Sequence, residues 1–144
     1  MNEFQRIITT SVSLIFPGLN PTRLFHKEAD PKQWESLLFQ ICNILDPTLA
    51  TQLFESCYPA ALKPQSKVYR TNLFKFAETL KRTGVLPAML MFRKSDFEEL
   101  RGPRFERVVC AMLNILIQNQ IGETDNAVFE LSKPLQIKIK QVNF

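Results

Sequence analysis

The strongest helical pattern of apolar positions in the chain begins at Pro103 and continues to about residue 122. Gly102 and Pro103 mark its start, because proline fits the first turn of a helix, where its missing N–H costs nothing. The apolar positions cover more than half of the circumference, which is wider than a surface helix needs. They are Phe105, Val108, Val109, Met112, Leu113, Ile115, Leu116 and Ile117. The pattern predicts a central helix enclosed by others, with a narrow face left for water. That face carries Arg104, Arg107, Ala111, Asn114 and Gln118.

Four helices and one short helical turn are predicted before this central helix. The first covers about residues 3–16 and stops at a Pro-Gly pair. The next two open at Asp30-Pro31 and Asp46-Pro47, since aspartate caps a helix start and proline suits its first turn. The fourth covers about residues 66–83. A short turn follows over residues 95–100, where Ser95 is the expected cap and Glu98 completes a capping box.

The fourth predicted helix has one residue that breaks its pattern. Its expected inner stripe is Tyr69, Leu73, Phe76, Ala77 and Leu80, and its expected outer face carries Lys67, Arg70, Phe74, Glu78, Lys81 and Arg82. Phe74 thus places a large apolar ring among cations. Either the tail after residue 123 folds back and covers this ring, or the ring is exposed and marks a partner site. Phe74 and Tyr58 are the candidates for a partner interface.

The last part of the sequence, residues 123–144, changes character. Leu135, Ile137 and Ile139 alternate with polar residues, which is the period of an extended strand. A hairpin or added strand, an extended arm along the domain, and the start of a coiled coil all remain open. The sequence therefore predicts an all-α domain over residues 1–122 and a C-terminal extended or hairpin tail, leading toward a coiled coil, over residues 123–144.

Positive charge is concentrated in the middle of the 144-residue chain. The net charge is +4, but residues 63–107 hold eleven Lys and Arg against five Asp and Glu, which gives +6 for that stretch. A basic surface favours an acidic partner. The candidate contact residues are Lys63, Lys67, Arg70, Lys75, Lys81, Arg82, Arg93, Lys94, Arg101, Arg104 and Arg107.

The residues offer no recognisable chemistry, which points to binding or scaffolding rather than catalysis. His26 is the single histidine, so neither a Ser-His-Asp arrangement nor a zinc pattern is available. The four glycines form no phosphate loop, and we expect no cofactor. The three cysteines are expected to be reduced core residues. No apolar run approaches the roughly 20 residues of a membrane span, no signal peptide is evident, and no nucleic-acid recognition motif appears.

Several short motifs occur in an order that resembles a known family. They are Leu24-Phe25-His26-Lys27, Leu38-Phe39-Gln40, Leu45-Asp46, Phe54, Cys57-Tyr58-Pro59 and Gly102-Pro103-Arg104-Phe105. Over roughly residues 20–120 this resembles the N-terminal domain of subunit 6 of the augmin (HAUS) complex. One departure is Tyr58, since the family often has tryptophan between the cysteine and the proline.

The resemblance implies a calponin-homology-like domain that belongs to a longer, non-catalytic protein with coiled coils. It implies neighbours in the other augmin subunits, above all the calponin-homology-like subunit 7, together with tubulin and, indirectly, the γ-tubulin ring complex. It further implies a place in the cytoplasm and cytoskeleton, at the mitotic spindle and centrosome, where augmin supports branching microtubule nucleation. Neither nucleic acid nor membrane is an expected partner.

Two functions of different kinds follow from these observations. In the first, the basic surface contacts the acidic surface of tubulin directly. In the second, the domain docks on another calponin-homology-like domain and builds the head of the complex without touching the microtubule.

Overall fold

The computed structural model describes residues 1–122 of the chain, and side chains as far as residue 119. Within these residues the fold is all-helical, as predicted. Its helices are α1 (Glu3–Ile15), α2 (Pro31–Leu45), α3 (Pro47–Phe54), α4 (Lys63–Arg82), α5 (Lys94–Glu99) and α6 (Pro103–Gly122), with a 3₁₀ helix at Pro21–Arg23. The expectations for the tail, including the strand, the hairpin, the coiled coil and the covering of Phe74, lie outside the described residues.

The core is organised around α6, which confirms the central-helix prediction. Val109 and Leu113 are completely buried, and Met112 and Leu116 are each only 1% exposed. Helices α1 and α2 pack directly on α6, and α3 and α4 extend the same core. The predicted inner stripe of α4 is also buried along its whole length. Burial of this kind supplies most of the stability of a small helical domain.

The predicted wet face of α6 is partly wrong. Ala111 and Asn114 are buried, because α1 lies along this side of the helix. The thiol of Cys110 donates to the carbonyl of Phe4 at 3.4 Å, so the start of α1 lies beside the first half of α6. The sequence shows that α1 has an apolar side, but it does not show which helix receives that side.

The side-chain caps expected at three helix starts are present at two of them. The carboxylates of Asp30 and Asp46 each accept a backbone N–H of the following turn at 3.0 Å. The expected capping box at Ser95 and Glu98 is wrong. The cap of helix α5 is Arg93, two residues before the predicted Ser95, so the capping carboxylate is Asp96, which accepts the N–H of Arg93 at 2.8 Å.

The chain turns sharply between α5 and α6. Leu100 ends α5 in the left-handed region with φ of 53°, and its side chain is buried in the core. Gly102 follows with φ of 102°, a backbone conformation that residues other than glycine rarely adopt. This turn sets α5 against α4 while α6 enters the core.

Candidate functional site

The open side of α4 carries a row of cations. Lys67, Lys75 and Arg82 are exposed, and their separations of eight and seven residues place them on roughly the same side of the helix. With a rise of 1.5 Å per residue, the row extends over about 22 Å. Glu78, the single acidic residue of α4, is exposed beside them. Lys63 begins the helix and is exposed as well, so the row is strongly positive.

Arg70 does not belong to this open row, contrary to its predicted place on the outer face. Its Nε lies 3.1 Å from Oε2 of Glu35, a buried carboxylate of α2. Its Nη1 also donates to the carbonyl of Glu98 in α5 at 2.6 Å. The hydroxyl of Ser66 donates to the same Glu35 carboxylate. Arg70 therefore joins three helices and neutralises a buried charge, which makes it a structural residue.

Arg104 is held by a second internal pair. Its Nε lies 3.1 Å from Oδ2 of Asp96, and its Nη2 lies 3.2 Å from Oδ1. Burial acts to raise the pKa of Asp96, but hydrogen bonds from Arg104 and from the N–H of Arg93, with the charges of both arginines, outweigh it, so that the pKa is lowered. Arg101 lies 3.8 Å from Glu99, and both are exposed, so this pair contributes little.

Two further cations lie over aromatic rings. The ammonium of Lys81 is 5.5 Å from the centre of the Phe92 ring, and the guanidinium of Arg107 is 5.4 Å from the centre of the Phe4 ring. Both distances suit a cation–π interaction. Arg107 lies on the side of α6 that faces α1, whereas Lys81 lies at the C-terminal end of α4. Lys81 and Arg107 therefore do not belong to one shared surface on α4.

Six of the eleven candidate cations remain exposed and have, among the described residues, neither a carboxylate at ion-pair distance nor an aromatic ring under the charge. We call them the open cations, and they are Lys63, Lys67, Lys75, Arg82, Arg93 and Lys94. Arg93 and Lys94 come close to α4 because Phe92, directly before them, packs its ring 6.0 Å from the ring of Phe74. The open cations of α4 and those at the start of α5 thus lie on two helices that pack against each other.

Phe74 is half-buried, and neither of the two sequence explanations anticipated its surroundings. Its ring lies 6.0 Å from the rings of Phe92 and Phe97. What covers it is the α4–α5 connector (residues 83–93) together with α5. The apolar ring of Phe74 suits this position because the connector and α5 pack on this side of α4. Only the exposed edge of the Phe74 ring is available for contact with a partner.

Tyr58 is half-buried in an aromatic stack. Its ring is stacked on Phe39 at 4.0 Å between centres, with the planes inclined by 19°, and lies 5.0 Å from the ring of Tyr69. The peptide bond between Tyr58 and Pro59 is cis. Tyr58 lies in the middle of the segment that joins α3 to α4, and its contacts within the chain make it primarily a packing residue.

The sequence alone does not show that the connector exposes several apolar side chains. Met89 and Met91 are 80% and 70% exposed, and Val85 is 43% exposed. An apolar run such as Val85 to Phe92 ordinarily predicts burial. Pro87 was the available signal, because a proline-containing run that is neither helix nor strand leaves some side chains without a surface to pack on.

The cysteine thiols of the described residues are buried and not activated. Burial raises the pKa of Cys42 and Cys57 and raises that of Cys110 to about 12, so none of these thiols is a ready nucleophile. Among residues 1–122 no group of three or more His, Cys, Asp or Glu is arranged to hold a metal ion. No helix in the same range has the length and apolar character needed to cross a bilayer.

Comparison with known proteins gives one family. A family model described as HAUS augmin-like complex subunit 6 N-terminus matches residues 24–143. No curated protein and no solved structure matches the chain.

Proposed function

The chain belongs to the family of N-terminal regions of HAUS augmin-like complex subunit 6, and on that premise we propose that it contacts microtubules through the open cations of α4 and α5. It is then a non-catalytic domain of an augmin subunit, and the microtubule contact supports branching nucleation in the spindle. The observation that carries the proposal is the set of six open cations, since the other five candidates are engaged within the domain.

The arrangement of the open cations suits a broad acidic surface. Lys67, Lys75 and Arg82 form a row of about 22 Å along one rigid helix. Charges of this kind keep their hydration until contact and accelerate association with an oppositely charged surface. The surface of tubulin is acidic. A single domain of this size is expected to bind weakly, and a full complex gains strength when several contacts are linked.

The wider setting is part of the same proposal. Family membership supports, as further parts of the proposal, a calponin-homology-like arrangement, pairing with the similar domain of subunit 7 and an indirect link to the γ-tubulin ring complex. It also supports a cytoskeletal location at the spindle and centrosome. The all-helical fold around α6 supports a rigid head of this type.

Cosedimentation of the chain with microtubules over a range of salt concentrations tests the proposal. We expect pelleting at low salt and a steep loss as salt rises, because the Debye length falls from about 10 Å at 0.1 M to about 3 Å at 1 M. Absence of pelleting at low salt, or pelleting that does not respond to salt, contradicts an electrostatic contact.

The second candidate function is docking on another subunit without microtubule contact. The observation that favours it is the exposed apolar side chains of the connector, Met89 and Met91. Methionine is common at adaptable binding surfaces. If docking is the whole function, the chain pairs stably with the partner subunit's domain in analytical ultracentrifugation and fails to pellet with microtubules.

A further inference from the structure

A groove lies between the C-terminal half of α4 and the α4–α5 connector. The rings of Phe74 and Phe92 line it, Ala88 lies on the connector side, and Lys81 and Arg82 lie on the α4 side. Its volume is about 330 Å³, within the range of pockets that receive a ligand group. The groove therefore offers an apolar floor next to two cations.

The surroundings of the groove have a definite charge. Glu78 is the single acid among the lining residues, against Lys81 and Arg82. Arg93 and Lys94 follow Phe92 directly and are exposed. Two cations and one acid thus line the aromatic floor, and two more cations follow Phe92 in the chain, so the electrostatic complement is an acidic partner.

The connector also carries exposed apolar side chains. Met89 and Met91 lie on either side of Leu90, four and two positions before Arg93 in the chain. Flexible thioether side chains adjust to the shape of a bound group. An apolar centre with a charged border is also the usual layout of a protein-binding surface.

We propose that this groove binds an acidic peptide segment that places one large apolar side chain between α4 and the connector. The anchor contacts Phe74 and Phe92. The flanking carboxylates of the peptide pair with Lys81 and Arg82, the two cations that line the groove. A volume of about 330 Å³ suits one anchor side chain rather than a packed helix face. This goes beyond the contact with microtubules, which shares Arg82 with the groove but requires no apolar anchor.

The test measures fluorescence anisotropy of the 144-residue chain with labelled peptides. The probe has a central phenylalanine flanked by four glutamates on each side, and a second peptide has alanine at the centre. We expect the first peptide to bind at least tenfold more tightly than the second, because only the first fills the groove. Binding of both is expected to weaken as salt rises.

Two variants locate the site. Ala88→Trp fills the groove without changing charge, and Ala88 is exposed, so the fold tolerates the larger ring. It is expected to weaken binding of the phenylalanine peptide at least tenfold, while Ala61→Trp, at an exposed alanine outside the groove, leaves binding unchanged. Lys81→Met keeps the aliphatic stem and removes the charge, and is expected to weaken binding severalfold.

Three results overturn the proposal. They are equal binding of the two peptides, equal effects of the Ala88 and Ala61 variants, and self-association that Ala88→Trp abolishes, which shows that the groove receives a second copy of the chain. The peptide assay contains no microtubules. Failure here therefore leaves the microtubule proposal standing, and loss of microtubule pelleting leaves the groove untouched.

Discussion

Arg70 Nε lies 3.1 Å from Glu35 Oε2 and joins α4 to α2 across the edge of the core. Glu35 is only 2% exposed, so its charge has almost no contact with water. Lys32 lies 3.7 Å away, and the Ser66 hydroxyl donates to the same carboxylate, but Arg70 is the closest cation. A residue that resembles a surface cation in the sequence thus neutralises a buried acid.

Replacing Arg70 with methionine is expected to destabilise the domain by about 3 kcal/mol. This expected loss of stability lies at the lower end of the range for breaking a buried ion pair, because Lys32 and Ser66 still contact Glu35. Chemical denaturation measures the change in the free energy of unfolding. Lys67→Met, on the open side of the same helix, serves as the control, with an expected effect within about 0.5 kcal/mol.

The pair also predicts strong coupling in a double-mutant cycle. Glu35→Gln removes the buried charge, so adding Arg70→Met to it is expected to cost much less than Arg70→Met alone. Additive effects of the two substitutions contradict a direct interaction between these side chains.

Leu113→Ala is expected to lower the free energy of unfolding by about 2–5 kcal/mol. Leu113 is fully buried at the centre of α6, and removing it loses apolar burial and leaves a cavity among neighbouring helices. Such a loss is a large part of the stability of a small domain. A negligible shift of the denaturation midpoint means that α6 is not the centre of the core.

Asp96 is expected to make stability depend on acid pH. Its pKa in the folded chain lies below the ordinary value of 3.8, so the charged form stabilises the fold above that value. This contribution is fully present above about pH 5 and is lost as pH falls through the lowered pKa. The difference in unfolding free energy between the wild-type chain and Asp96→Asn is therefore expected to shrink from about pH 5 to about pH 3. A difference that stays constant over this interval excludes the contribution.

The three cysteines are expected to resist a thiol reagent while the domain is folded. Cys42, Cys57 and Cys110 are free and buried, and burial raises the pKa of each thiol. Ellman's reagent is expected to titrate three thiols in guanidinium and to react with the native chain only slowly, at the rate of opening. Rapid reaction of one native thiol identifies a cysteine that is not in the core.

The sequence predicted those parts of the fold that local pattern determines. The width of the apolar arc identified α6 as central, and the Asp-Pro pairs located the starts of α2 and α3. It did not show that α1 covers Asn114, because an amphipathic pattern shows that a helix has a buried side but not which neighbour receives it.

The same reason explains the outcome for the candidate cations. Periodicity placed Arg70 and Phe74 on the outer face of α4, and only the tertiary structure shows that Glu35 and the connector lie against them. The prediction of an outer position is confirmed for Lys67, Glu78 and Arg82, which are exposed in the part of the chain that the structure describes. The count of charges predicted that the surface is positive. The ion pairs of the structure determine which of these cations are available for contact with a partner.

The most direct test of the proposed function is microtubule cosedimentation at low salt of two charge-matched triple variants. One reverses Lys67, Lys75 and Arg82 to glutamate on the open row of α4. The other reverses Arg6, Arg23 and Lys27, which are exposed on α1 and around the 3₁₀ helix, so the net charge changes by the same amount. We predict that the first variant loses pelleting while the second keeps most of it, with both folded by circular dichroism. Equal loss in the two variants would contradict a contact localised on α4.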